Sequence, residues 1–338
     1  MDRAGELRSQ PERLAQLWSS ASIIEVGKGR IRSTSDGPTL IAPEDAIGGE
    51  RYFLGIDRAT ETAYFAWASG TVDSEVQDYL TLRELAGGLS PLHLEVVMHA
   101  IALSNWHDAH PHCPRCGAPT RVDLAGAARI CDADQSQHHP RTDPAVIVLV
   151  RDREDRILLG HQPVWPDGRF STFAGFLEPG ETFEQCVARE VFEESGVTLS
   201  EVKYLGSQPW PFPASVMIAF SAVTDAPDDA RPDGDEITEV KWFSRDELKA
   251  AAEDGSLLLP PKVNLVKLAN RATPELAPRR HSSCLHLKNR PSVWFSTQRP
   301  KQVSPARICT KNSKPSATRQ RVTTTHSSPK LSVAQIAS

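Results

Sequence analysis

Apolar residues in the first third of the chain occur in short runs and then at a helical spacing. The runs at residues 52–57 and 63–69 flank a polar turn and predict two strands. Between residues 80 and 106, leucine, valine and alanine recur at the spacing of a helix, with a break near Gly87 and Gly88. This pattern predicts a β-rich N-terminal domain over residues 1–106.

A second patterned region covers residues 141–270. The apolar runs at 145–150 and 156–162 enclose an acidic turn, which predicts a hairpin of strands. Further extended segments follow at residues 203–213, 215–223 and 237–243. Because these strands are interleaved with two or three helical patterns, we expect a mixed α/β domain, preceded by a cysteine-containing segment at 107–140.

The charge of the chain is unevenly distributed. The 338 residues carry a net charge of −5, yet residues 271–338 hold 13 Lys and Arg against one acid, Glu275. This stretch is also rich in Ser, Thr and Pro and has no periodic apolar pattern, which predicts a disordered basic tail. A basic tail can bind nucleic acid, but a solvated extension is the simpler interpretation because no folded recognition motif is visible in it.

The composition indicates a soluble protein. Its first ten residues are polar and charged, and the apolar run at 145–150 is too short to span a bilayer. We therefore expect a cytoplasmic location. An intracellular chain keeps its thiols reduced, so the cluster of Cys113, Cys116 and Cys131 indicates metal ligation rather than a disulfide framework.

One helix in the second region concentrates carboxylates. Thr182 and Gln185 form a capping-box pattern, so the helix should begin at Phe183 and end at Gly196. Glu190 and Glu194 are four residues apart and therefore share a face, with Glu193 beside them.

Adjacent carboxylates repel one another unless a cation lies among them, and a hard ion such as Mg²⁺ prefers oxygen ligands. The alternative interpretation is a solvated acidic face with Arg189 as its partner. The complete pattern favours the metal site. It consists of Gly175, Glu181, Arg189-Glu190, Val191, Glu193-Glu194, Gly196 and Val197 at fixed spacing, and it resembles the Nudix box.

The resemblance to Nudix hydrolases implies an α/β/α sandwich that cleaves a nucleoside diphosphate linked to another group. It implies that Glu190 and Glu194 bind catalytic Mg²⁺ or Mn²⁺ and that Glu193 is a further metal ligand or a base. Glu181 and Arg189 would pair to hold the loop against the helix. The carbonyl of Ala174 would be an extra ligand. Glu236 would complete the site from a distance, with Asp235 and Glu239 as competitors.

The stretch SQPWPFP at residues 207–213 indicates one branch of the Nudix family. Its three prolines exclude a helix, and it is similar to the signature of the NADH pyrophosphatase (NudC-type) branch. The resemblance implies a set of substrate-contacting residues: Gln208, Pro209, Trp210, Pro211, Phe212, Pro213, Ala214, Ser215, Arg83, His139 and Val266. Trp210 and Phe212 would present rigid flat surfaces to a nicotinamide or adenine ring.

The same branch places a zinc ribbon before the hydrolase domain, and here the chain departs from the pattern. Cys113, Cys116 and Cys131 match, but Asp134 stands where a fourth cysteine is expected. His138, His139 or Asp134 could be the fourth ligand, and we prefer His138 because imidazole suits zinc. A degenerate ribbon without metal is the alternative.

The expected reaction is hydrolysis of NADH or NAD⁺ to nicotinamide mononucleotide and AMP, and the same bond is present in NAD-capped RNA. The resemblance also implies a homodimer. One rival hypothesis is a broader nucleotide pyrophosphatase acting on nucleoside triphosphates, ADP-ribose or FAD. The other is a non-catalytic zinc-ribbon module that binds nucleic acid, although a pure binder has no need for three repelling acids.

Overall fold

The computed structural model describes residues 1–34, 37–72, 78–85 and 87–258. The predicted basic tail at 271–338 and the candidate substrate residue Val266 lie outside these residues. Among the described residues, no helix is both long and apolar enough to cross a membrane.

The N-terminal region combines a mainly antiparallel sheet with three helices. Its strands are β1 (Ser22–Gly27), β2 (Arg30–Thr34), β3 (Gly37–Pro38), β4 (Leu40–Ile41), β5 (Glu50–Ile56), β6 (Ala63–Ala68) and β7 (Tyr79–Thr81). Its helices are α1 (Pro11–Trp18), α2 (Leu82–Leu85) and α3 (Pro91–Ala109). The order along the main path is β3-β2-β1-β6-β5, with β4 on β1 and β7 on β2. The predicted strands at 52–57 and 63–69 and the helix break near Gly87 and Gly88 are confirmed.

Helix α3 packs its buried side chains against one face of this sheet. Val96, Val97 and Ile101 join Ile24 and Val26 of β1 in one core. The helix begins at a proline, and the side chain of the preceding Ser90 accepts a hydrogen bond from the main chain of His93. The opposite face of the sheet carries a separate core.

A small three-stranded sheet follows. It consists of β8 (Thr120–Asp123), β9 (Ala128–Cys131) and β10 (Gln137–His138), in the order β10-β9-β8. Arg129 of β9 is buried and donates to the ring of His107 in α3 over 2.9 Å. This contact joins the cysteine segment to the N-terminal helix.

The third region is a six-stranded sheet with a helix on each face. Its elements are β11 (Asp143–Arg151), β12 (Ile157–His161), β13 (Phe173–Phe176), α4 (Phe183–Ser195), β14 (Glu201–Trp210), β15 (Ser215–Val223), β16 (Glu239–Phe243) and α5 (Arg245–Glu253). The order is β14-β15-β11-β12-β16, with β13 on β11.

Two successive residues of β12 show how the layers form. Leu158 packs into the core shared with α4, whereas Leu159 packs into the core shared with α5, because neighbouring side chains of a strand point to opposite faces. The predicted hairpin is confirmed by the antiparallel pairing of β11 with β12. The α/β class is confirmed, while the domain boundaries themselves stay predictions.

Candidate active site and cysteine cluster

Helix α4 begins and ends where the sequence predicts. Thr182 and Gln185 form both hydrogen bonds of a capping box, and Gly196 terminates the helix in the left-handed conformation, at φ 71°. Val187 and Val191 anchor one side of the helix in the core. The opposite side therefore carries the carboxylates at fixed positions.

Glu190 lies against the backbone of β13. A Cβ atom on Gly175 would collide with the carboxylate of Glu190, so only glycine permits this close approach. Burial raises the pKa of Glu190, although Arg189 donates to its Oε1 over 2.8 Å and opposes the shift. Gly175 and Glu190 thus depend on one another, although they are fifteen residues apart.

Glu194 is the most buried carboxylate of the helix, with 5% of its surface exposed. The main chain of Ala174 forms a hydrogen bond to this carboxylate, yet Oε2 has no hydrogen-bond partner among the described residues. Burial raises the pKa of Glu194 well above its ordinary value, and Glu236 and Glu190 raise it further. An acid in such surroundings needs a proton or a cation.

Arg189 holds the loop before the helix. Its Nε and Nη2 donate to Glu181 over 2.6 Å and 2.9 Å, and Nη2 also donates to the carbonyl of Phe176 over 3.0 Å. The hydrogen bonds from Arg189 lower the pKa of Glu181 to about 2. Glu193, which is half exposed, lies 3.4 Å from Arg189. The structure therefore brings together the pair that the sequence predicts.

Glu236 approaches the helix from the loop before β16. Its charge raises the pKa of both Glu190 and Glu194, so the three carboxylates interact electrostatically. Asp233 accepts main-chain hydrogen bonds from Asp235 and Ile237 and so shapes this loop.

Gln162 is a residue that the sequence reasoning missed. It is buried directly after β12, and its Nε2 donates to Glu236 over 3.4 Å. A glutamine at the end of a strand gives no motif, so only the fold reveals this contact.

The SQPWPFP segment forms the end of an edge strand and a turn. Pro209 is tolerated because β14 is at the edge of its sheet, where an amide is not needed on the outer side. Trp210 and Phe212 lie edge to face with ring centroids 5.0 Å apart. The guanidinium of Arg83 lies 4.5 Å from the centroid of Phe212 and 5.9 Å from that of Trp210.

Residues of the N-terminal region hold the SQPWPFP segment in place. Asn105 of α3 donates to the carbonyls of Pro211 and Pro213 over 3.1 Å and 3.0 Å. Phe212 also packs against the core beneath α3. Phe212 is thus partly committed to packing, whereas Trp210 lies on a small cluster of the six-stranded sheet.

The remaining predicted substrate residues are distributed around this turn. The carbonyl of Ala214 accepts from Asp143, and Ser215 is buried with no hydrogen-bond partner for its hydroxyl among the described residues. Gln208 lies within β14, opposite Met217. His139 is exposed directly after β10.

The cysteine segment brings four ligand-type side chains together. One ligand atom from each of Cys113, Cys116, Cys131 and Asp134 lies within 4.8 Å of all the others. The sulfurs of Cys116 and Cys131 are 3.5 Å apart, close to the edge of a tetrahedral zinc site. Hydrogen bonds from Ser136 lower the pKa of Asp134 to about 2, so this side chain is a carboxylate ready to bind a cation. These residues fit a zinc ion.

Two similar turns build this cluster. The amide of Arg115 donates to the sulfur of Cys113, and the amide of Asp134 donates to the sulfur of Cys131, each over 3.4 Å. Gly117 and Gln135 close the two turns onto the carbonyls of the same cysteines, both at positive φ. The second turn therefore presents Asp134 where the first presents Cys116.

His138, which we expected from the sequence to be the fourth ligand, lies beside the four clustered side chains. Its Nε2 lies 3.3 Å from the sulfur of Cys113 and 3.1 Å from the hydroxyl of Ser136. It is therefore next to the cluster, while Asp134 is within it. The equal spacing of Cys113-Cys116 and Cys131-Asp134 was the sequence signal for this arrangement.

Two family models match the chain. The NUDIX domain matches residues 141–259, and the NADH pyrophosphatase zinc ribbon domain matches residues 108–138. The structure agrees with the first match, since the six-stranded sheet and the carboxylate helix lie within it. The sheet, the helix and the box together define the hydrolase class called Nudix.

Curated relatives indicate which branch of the Nudix hydrolases this chain resembles. The NAD-capped RNA hydrolase NudC of Mycobacterium bovis (strain BCG / Pasteur 1173P2) is 37% identical over 285 residues, which cover 79% of this chain and 90% of that relative. The protein of the same name from Mycobacterium tuberculosis (strain ATCC 25618 / H37Rv) is 36% identical over the same shares. The one from Vibrio vulnificus (strain CMCP6) is 39% identical over 177 residues, 52% of this chain and 67% of its own.

A solved structure of a NUDIX hydrolase from Nitrosomonas europaea is 27% identical and covers 40% of this chain and 78% of its own, with a TM-score of 0.35. The extent of the curated matches, together with both family models, establishes the family. The chain belongs to the NADH pyrophosphatase (NudC-type) family of Nudix hydrolases.

Proposed function

We propose that this protein hydrolyses the pyrophosphate bond of NADH and NAD⁺, giving nicotinamide mononucleotide and AMP, and that it removes NAD caps from RNA by the same reaction. The observation that carries the proposal is the buried carboxylate of Glu194, whose Oε2 has no hydrogen-bond partner in the part of the chain that the structure describes, while the charges of Glu190 and Glu236 act on it. Relatives named NAD-capped RNA hydrolase support the substrate.

The carboxylates of Glu190, Glu194 and Glu236 offer oxygen ligands, which suit Mg²⁺ or Mn²⁺. Glu190 and Glu194 would hold such ions, with Glu236, Glu193 and the carbonyl of Ala174 as further ligands. A bound divalent ion supplies charge neutralisation of the pyrophosphate and acidification of a water molecule. Arg189 and Glu181 keep the helix and loop in one arrangement, so that the ligands need not reorganise during the reaction.

Substrate recognition belongs to the turn after β14. Trp210 packs on the cluster that also holds Ala174, and Arg83 lies over the aromatic pair of Trp210 and Phe212. We assign stacking of a nicotinamide or adenine ring to Trp210 and its positioning to the Arg83 and Asn105 contacts. Gln208 and Ser215 would supply polar contacts.

The test is a comparison of substrates. The full-length protein is incubated with NADH, NAD⁺, ADP-ribose, a nucleoside triphosphate and NAD-capped RNA in Mg²⁺ or Mn²⁺, and the products are identified by chromatography. We expect NADH, NAD⁺ and NAD-capped RNA to be cleaved to nicotinamide mononucleotide. Much faster cleavage of the triphosphate than of NADH would overturn the proposal.

The cysteine cluster completes the proposal. We assign one structural Zn²⁺ to Cys113, Cys116, Cys131 and Asp134, with His138 as the competing fourth ligand. We also propose a homodimer, which the family resemblance alone supports, and a cytoplasmic location, which the composition supports. Light scattering after size-exclusion chromatography tests the homodimer, and a monomeric mass at working concentrations would contradict it.

A further inference from the structure

A cavity of about 410 Å³ opens on the N-terminal sheet and takes no part in the proposed hydrolysis. Its lining includes Glu25, Arg32, Trp67 and Tyr79. Strand pairing explains why these four meet. Glu25 is opposite Trp67 on β6, and Arg32 is opposite Tyr79 on β7. The register of β1 with β2 places Glu25 opposite Arg32.

These four residues form one row across four neighbouring strands. Strands are spaced by about 4.8 Å, so the row spans about 14 Å from the backbone of Trp67 to that of Tyr79. Ile24 and Val26 point to the opposite face, into the core beneath α3. Along the backbone, the row therefore reads Trp67, Glu25, Arg32 and Tyr79, and the side chain of Tyr79 reaches back to Glu25.

Glu25 is the buried group at the centre of this row, with 3% of its surface exposed. The hydroxyl of Ser69 donates to its Oε1 over 2.6 Å, the hydroxyl of Tyr79 also forms a hydrogen bond to it, and Arg32 lies 3.9 Å from its Oε2. A carboxylate has about four lone-pair directions, so further acceptor capacity remains. Each of these contacts also fixes the orientation of the carboxylate.

We propose that this cavity is a binding site for a guanine base, independent of the proposed hydrolysis. Guanine carries two adjacent donors, N1–H and N2–H, that match a carboxylate, and two acceptors, O6 and N7, that match a guanidinium. Aromatic side chains commonly pack against bases that are read along their edges in this way. Adenine lacks the paired donors, so Glu25 discriminates against it.

The charges around the cavity determine which part of a nucleotide can enter it. Asp45 and Asp78 also line the cavity, which gives three carboxylates against one guanidinium. A phosphate inside the cavity would be repelled, so the neutral base enters while any attached phosphate stays outside. The guanine can belong to a free nucleoside or to a single-stranded RNA, and the experiment separates these sources.

Equilibrium dialysis of the full-length protein, without added divalent metal, measures binding of labelled guanosine, inosine and adenosine. We expect guanosine to bind, and inosine, which lacks the N2 amino group, to bind about tenfold more weakly or worse. A trinucleotide with a central guanine tests the RNA source. Binding at least as tight as that of guanosine assigns the site to RNA, and weaker binding assigns it to the free nucleoside.

Two variants test the residues. Glu25→Gln removes the central carboxylate, and Arg32→Gln removes a half-exposed guanidinium without opening the core. Both should lower guanosine affinity about tenfold or more while NADH hydrolysis is unchanged, and Arg58→Gln, an exposed arginine outside the cavity lining, should change neither. Equal binding of guanosine and adenosine, or unchanged binding in a folded Arg32→Gln protein, overturns the proposal.

Discussion

The two candidate metal sites of this chain are assembled in different ways. The carboxylate site joins Glu190 and Glu194 of one helix to Glu236, more than forty residues later in the sequence. The cysteine cluster draws all four residues from two short turns within residues 113–134. One site therefore depends on the whole α/β sheet, and the other depends on local hydrogen bonds.

This difference shows which kind of substitution each site tolerates. At the carboxylate site, Gly175 must lack a side chain because Glu190 occupies that space. In the cysteine cluster, the second turn keeps its hydrogen bonds although an aspartate replaces the expected cysteine. A long-range site constrains its neighbours, whereas a local turn can change one ligand and keep its form.

The strongest test of the comparison is Glu194→Gln, which should abolish hydrolysis and leave the cysteine cluster intact. Removing this charge weakens divalent-ion binding, so we expect kcat for NADH to fall by at least about 10²- to 10³-fold. Zinc content should be unchanged. Steady-state kinetics and elemental analysis of the same preparation measure both quantities.

Glu184→Gln is the matched control, because Glu184 is exposed on the first turn of the same helix. It should retain both activity and zinc. Unchanged NADH hydrolysis in a folded Glu194→Gln protein would remove the basis of the proposed metal site.

The second prediction alters the cysteine cluster instead of the carboxylate site. Cys131→Ser should release the zinc ion and lower the thermal midpoint, since Cys131 is fully buried and a structural zinc site contributes to folding. Asp134→Ala should retain zinc but lose it to a chelator at a lower chelator concentration. Zinc content after dialysis against graded chelator distinguishes the two variants.

Asp132→Asn is the control for Asp134, because Asp132 lies in the same turn and pairs with Arg121 over 3.2 Å instead of joining the cluster. If Asp134→Ala and wild type resist chelator equally while His138→Ala does not, then His138 is the fourth ligand.

The third prediction concerns the aromatic side chain of Trp210 at the end of β14. Trp210→Ala should raise KM for NADH about tenfold, because a stacking surface for the base is lost, with a smaller change in kcat. Tyr204→Ala removes another aromatic side chain of β14, one that is 57% exposed, and should leave KM unchanged. An unchanged KM in Trp210→Ala would assign ring recognition to another residue.

Much of the fold is predictable from local patterns. The boundaries of α4 follow from Thr182, Gln185 and Gly196, since caps act within a few residues of the helix end. The buried strand β11 follows from its apolar run. These signals are local, and the final structure keeps them.

The parts that were missed depend on contacts between distant residues. Nothing near Gln162 indicates that it reaches Glu236, and nothing near Asn105 indicates that it holds the carbonyls of Pro211 and Pro213. Phe212 was predicted as a free recognition surface, but it also packs against the N-terminal core. Such roles arise only when separate regions are folded together.

The smallest expected effect tests how the carboxylate helix is held in place. Arg189 lowers the pKa of Glu181 from an ordinary value of 4.5 to about 2. A depressed pKa means that this pair stabilises the fold fully above pH 4.5 and that the contribution is lost as the pH falls from 4.5 towards 2. Glu181→Gln should therefore lower the thermal midpoint by a few degrees at pH 7, and the difference from wild type should shrink at pH 3.

The matched control is Glu201→Gln, which breaks the exposed ion pair between Glu201 and Arg153 and should change the midpoint little at either pH. Thermal unfolding of all three proteins at both pH values measures these differences. A Glu181→Gln deficit that is equally large at pH 3 would show that Glu181 acts through packing or neutral hydrogen bonds. In that case the charge of Glu181 does not hold α4 against the loop before it.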